Sequence, residues 1–113
     1  MKKELALTFL VSLVIGSLVW ALSPVISGVS EPWDSETLYY PVALAVGGLI
    51  AGLIRPKYFW LHYFGIFFGQ LAFMLIFLPM GPLIVVGITV LASQSLIALL
   101  TAAGGAGIRR LAR

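Results

Sequence analysis

A chain of 113 residues with 61% apolar and only 10% charged side chains, at a mean hydropathy of +1.10, lies far from a soluble domain, which is nearer half apolar and a quarter charged. Four acids and seven bases are too few to clothe a globule in water, and the apolar excess equally excludes disorder. The chain has no cysteine, which removes disulfides, thiolate metal sites, iron–sulfur clusters and thiol nucleophiles. Its net charge of +3 comes without a basic face interleaved with aromatics, so no nucleic-acid partner is expected.

Lys2, Lys3 and Glu4 open the chain, and Leu5 to Leu22 follows without a charge. At about 1.5 Å per residue that stretch covers roughly 27 Å, close to the hydrocarbon thickness of a bilayer. Val25, Ile26 and Val29 extend the first span, about 5–29, past Pro24. The lysine-rich start and Ala21-Leu22-Ser23 imitate a secretory signal. The apolar stretch is too long for one, and Pro24 would follow the cut, so a retained helix is expected. Ser30 to Thr37 is a polar loop carrying Glu31, Asp34 and Glu36. Leu38 to Ile54 is the second run, with Pro41 near its start, where a missing N–H costs little. Arg55-Pro56-Lys57 interrupts it, and Tyr58 to Leu78 is the third. Pro79-Met80-Gly81-Pro82 reads as a turn. Leu83 to Ala103 is the fourth run, with Gly104, Gly105 and Gly107 expected to close it before a basic tail over 104–113. Only helices or closed barrels span lipid, and the runs lack the two-residue alternation of barrel strands. The expectation is a single all-α domain, a four-transmembrane-helix bundle built of two hairpins.

Four spans place all seven bases and Glu4 on one side, and Glu31, Asp34 and Glu36 on the other. Basic residues stay in the cytoplasm, so both termini are expected inside, in a bacterial or archaeal plasma membrane. Trp33, Tyr39 and Tyr40 then fall at the outer interface, and Tyr58, Trp60 and Tyr63 at the inner one, as belt residues do. The two hairpins share a topology, and Gly48–Arg55 weakly echoes Ala103–Arg109. The echo does not rise to a sequence repeat.

Small residues at four-residue spacing mark a candidate packing face: Gly47, Gly48 and Gly52 in the second run, Gly65 and Gly69 in the third. Lipid offers helices no hydrophobic reason to associate, so backbones approach closely where side chains are small. No Asp, Glu, Lys or Arg lies within a span, which counts against a cation- or proton-coupled antiporter. Neutral polar residues gather near the midplane instead. Ser17 and Gln70 lie roughly 18 Å, and Gln94 roughly 14 Å, from the inner ends of their helices. Ser17, Gln70, Ser93 and Gln94 form this candidate polar layer. Such a layer serves either as interhelical glue or as the lining of a solute path, and glue, with Gln70 bonded to Gln94, is the simpler expectation.

His62 is the one histidine, set among Tyr58, Phe59, Trp60, Tyr63 and Phe64, and is expected to be an interfacial belt residue. A lone histidine without an intramembrane acid builds no metal site, so no metal or cofactor is expected. The acids at 31–36 match no EF-hand spacing and read as a solvated connector. No glycine loop precedes a phosphate ligand and no serine has a base nearby in sequence. The expected function is therefore a non-catalytic integral subunit, stabiliser or assembly factor. Its partners would be the lipid bilayer and other transmembrane subunits or further copies of itself. The alternative is a homo-oligomeric channel or facilitator for a small neutral or anionic solute.

Overall fold

In the computed structural model the chain is helical, and the structure describes residues 2–26, 38–77 and 84–112. Four long helices carry the described residues: α1 (Lys2–Ala21), continued by the single turn α2 (Ser23–Ile26), then α3 (Tyr39–Ile54), α4 (Leu61–Phe77) and α5 (Ile84–Leu111). Two stretches, Lys2–Ile26 and Val85–Leu111, are long and apolar enough to cross a membrane, while α3 and α4 are shorter apolar helices. The acidic loop at 30–37 with Trp33, the turn at 79–82 and Arg113 lie outside the described residues.

Local chemistry explains most boundaries. Glu4 sits in the first turn of α1, and Arg109 and Arg110 in the last turn of α5, each facing the helix-dipole end that favours its charge. At Pro24 the helix loses a donor, yet the Leu22 N–H reaches Leu18 O at 2.9 Å and the Ile26 N–H reaches Leu22 O at 2.9 Å. The chain therefore stays helical beyond α1. Helix α3 ends at Arg55, whose N–H closes on Ala51 O, and Pro56 forbids continuation. The next helix starts at Leu61 rather than at Tyr58, where the third apolar run begins. Tyr58 holds φ at 61°, a left-handed conformation no helix accepts. Three tight N–H bonds, from Leu61, His62 and Tyr63 to the residues three before them, then lead into α4. The fourth run departs further from expectation, because α5 passes straight through Gly104, Gly105 and Gly107 to Leu111. Gly105 is a contact point there, since a Cβ on it would lie 3.0 Å from Leu53 N, and Arg109 donates to Leu53 O.

Helix pairing also differs from two sequential hairpins. The intimate pairs are α1 with α4 and α3 with α5. Ser12 meets His62 and Trp20 meets Gln70, so α1 and α4 run parallel. Gly48 lies on Ala98 and Gly52 on Ala102, so α3 and α5 are parallel too. Between pairs the direction reverses, as Tyr39 contacts Val19 while Arg55 contacts Thr8. Glycines explain the choice of partner. A Cβ at Gly16 would come within 2.9 Å of Ile66 Cα, one at Gly65 within 2.9 Å of Phe9 O, and one at Gly69 within 3.0 Å of Ser17 N. On the other pair, Gly48 and Gly52 would meet Ala98 Cα at 2.7 Å and Ala102 Cα at 2.9 Å. Gly47 faces Ile15 of α1. These backbones touch because nothing stands between them.

Candidate functional site

Thr8, Ser12, Gly16 and Trp20 recur every four residues along α1, and all four are buried. His62, Ile66, Gln70 and Met74 do the same on α4. Two such rows, laid parallel and opened by glycine, form one buried column with polar groups at two levels. Sorting polar residues by depth, as a one-dimensional reading does, conceals this column. The four-residue recurrence of Thr8, Ser12, Gly16 and Trp20 is the signal that exposes it.

At the level farther from the basic end, one amide joins four helices. Gln70 is fully buried, and its Oε1 accepts from Trp20 Nε1 at 3.0 Å and from the Tyr40 hydroxyl at 2.6 Å. Its Nε2 donates to Ser95 Oγ at 3.0 Å. Helices α1, α3, α4 and α5 each supply one member. Tyr40, expected at the outer interface, is thus a core residue at 4% exposure. Ser17 bonds to Leu13 O within its own helix and, at 3.2 Å, to Gly69 O across the pair.

The rest of the expected midplane layer does not assemble around Gln70. Ser93 is exposed. Gln94 is half-buried, and its Oε1 has no hydrogen-bond partner among the described residues. Neighbours on a helix are turned about 100° apart, so when Ser95 faces Gln70 its neighbour Gln94 does not. Of the packing face, Gly47, Gly48, Gly52, Gly65 and Gly69 all lie at helix contacts, joined by Gly16 and Gly105, whereas Gly104 and Gly107 face open space.

At the basic end the column closes on His62. The expectation of a belt residue fails here, because His62 is fully buried. Its Nε2 lies 2.9 Å from Arg55 O, and its Nδ1 contacts Ser12 Oγ. Ser12 Oγ also lies 2.9 Å from Thr8 O, and Thr8 Oγ1 donates to Glu4 O at 2.8 Å. The Arg55 guanidinium reaches back to Thr8 Oγ1 at 3.4 Å and Glu4 O at 3.3 Å. Outside this cluster an exposed ion pair joins Lys57 Nζ to Glu4 Oε2 at 2.9 Å. The Lys57 ammonium holds the Glu4 carboxyl below its usual range, and Glu4 in turn raises Lys57.

Ser12 against His62 is the contact that nucleophilic catalysis uses, but both side chains are sealed at 0% exposure. A groove of about 680 Å³ between α1 and α3 is lined by apolar residues such as Ile15, Val19 and Val46 and reaches neither. Among the described residues no three His, Asp or Glu side chains gather to hold a metal. What the column does, chemically, is hold four apolar helices in one register. No protein-family model matches the chain, and searches of curated proteins and of solved structures likewise return no match.

Proposed function

We propose that the chain is a four-span integral protein of a cell membrane with both ends in the cytoplasm, acting as a non-catalytic structural subunit, stabiliser or assembly partner of a larger membrane complex. The observation that carries this reading is the closure of Gln70. Its carbonyl accepts twice and its amide donates to Ser95, so one of the two amides expected near the midplane is consumed by the bundle itself. A solute path needs such groups to be open. This closure favours the subunit reading over the alternative of a homo-oligomeric channel through a Gln70/Gln94 layer, which would need both amides open.

Four spans are supported by the exterior. Leu10, Val14 and Leu18 on α1, Val42, Val46 and Ile50 on α3, and Phe64 and Phe68 on α4 are all exposed. An outer surface of this kind belongs in lipid, not water. Helices α3 and α4, at roughly 24 and 26 Å, come near the hydrocarbon thickness.

Extraction from native membranes in mild detergent tests the proposal. The expected result is a particle larger than the chain and its micelle, holding other polypeptides in fixed ratio. A chain that purifies alone, and whose liposomes pass a small neutral solute unless Gln94→Leu is introduced, would overturn it in favour of the channel.

A further inference from the structure

The closest packing in this bundle runs between the two hairpins and not within them, because α1 is held to α4 and α3 to α5. The polar ties cross the same boundary. Trp20 and Tyr40 of the first hairpin meet Gln70 of the second, and Ser12 meets His62. One register governs both pairs. Gly16 against Ile66 becomes Gly69 against Leu13 when every residue moves by 53, and Gly52 against Ala102 becomes Gly105 against Leu49. The ring contact of Trp20 with Phe73 maps onto itself. A shared offset relates the hairpins by a two-fold axis along the bundle. The counterpart of Lys2, where α1 begins, is Arg55, so the boundary between the two units falls in the connector at 55–60.

That connector is short and strained. Tyr58 holds φ at 61°, a conformation that costs free energy in any residue with a side chain. Fully extended, the connector reaches roughly 20 Å, which matches the 21 Å of the bundle's narrowest direction. We propose that two copies of this chain exchange hairpins through this connector, with α1 and α3 of one copy closing on α4 and α5 of the other. The inference rests on the four-span reading above, which sets every copy the same way round in the membrane. A second copy then offers the very face that each hairpin already uses, and the bonds between hairpins are remade across two chains. The Arg55 ties to Thr8 and Glu4 lie within the first hairpin and survive. What changes is the connector, where Tyr58 returns to an extended conformation, and a short hinge under strain favours such an exchange. The product is a closed two-fold dimer with no hairpin face left unpaired.

The test uses full-length chains, which have no cysteine of their own. Phe9 on α1 and Phe68 on α4 stand with ring centroids 6.3 Å apart, so thiols placed there fall within reach of a short bifunctional reagent. One population carries Phe9→Cys, the other Phe68→Cys, and the two are co-expressed. Exchange should give a linked dimer from the mixture and none from either population alone. Tyr58→Gly in both should lower that yield about tenfold or more, because glycine accepts a positive φ freely and each dimer relieves two connectors. A mixture without linked dimer overturns the exchange, and so does a yield that Tyr58→Gly leaves unchanged. The wild type gives a second reading if those variants fail to fold. Its mass in mild detergent should pass from one chain to two as its concentration rises, and a single chain at every concentration refutes the proposal. These failures leave the four-span and subunit readings standing, because sidedness of labelling and foreign polypeptides in the particle test those.

Discussion

Replacing Gln70 by methionine is the sharpest perturbation of the column. Methionine keeps the length and much of the volume of glutamine, so the cavity contribution is small. The change deletes three hydrogen bonds and leaves Trp20 Nε1, the Tyr40 hydroxyl and Ser95 Oγ without their amide partner in the core. Interhelical bonds in membranes are worth about 0.6–2 kcal/mol each, so three together amount to roughly 2–6 kcal/mol, with about 3 kcal/mol expected once the freed hydroxyls turn to backbone carbonyls. Unfolding in mixed micelles of rising denaturing-detergent fraction measures the difference. Ser95→Ala alone should cost about 1 kcal/mol, and its effect should shrink when Gln70→Met is already present, because both remove one bond. Gln94→Leu behaves differently. Its Oε1 is buried without a partner among the described residues, so its removal should be neutral or slightly stabilising, and additive with Gln70→Met within about 0.5 kcal/mol. A loss below about 0.5 kcal/mol for Gln70→Met, or strong coupling of Gln70 to Gln94, would refute the four-helix junction.

Further outcomes follow from the same contacts. Leucine at Gly69 should separate α1 from α4 and cost more than about 2 kcal/mol, as overpacking against backbone does, whereas leucine at Gly104 should cost little because nothing lies within 4 Å; thermal melts of the two variants decide this. The exposed Glu4–Lys57 pair adds stability only between the titrations of its members. It fades as the pH falls below 4.5 through the lowered Glu4, and as the pH rises above 10.5 through the raised Lys57, and salt should erase the difference between wild type and Lys57→Gln. Single cysteines at Lys57 and Arg110 should label with an impermeant maleimide from one side of the membrane and a cysteine at Ser35 from the other; labelling of all three from the same side contradicts the four-span topology.

The helical class was legible along the chain because it depends on one-dimensional quantities. Uninterrupted apolar runs of bilayer length impose helices, and Pro56 or the charged pair beside it ends one wherever it occurs. The glycines of the second and third runs announced close packing for the same reason, since a missing side chain is visible without knowing what approaches it. Partners were not legible. Nothing in the order of residues says that Gly16 meets Ile66 rather than a residue of α3, so the parallel pairs α1–α4 and α3–α5 emerge only when whole faces are matched. The rotation of a helix is equally a tertiary quantity. A shift of one residue turns a side chain by about 100°, which is why Ser95 rather than Gln94 receives the Gln70 amide, and why His62, surrounded in sequence by aromatic residues, points inward to Ser12 and Arg55 O instead of outward.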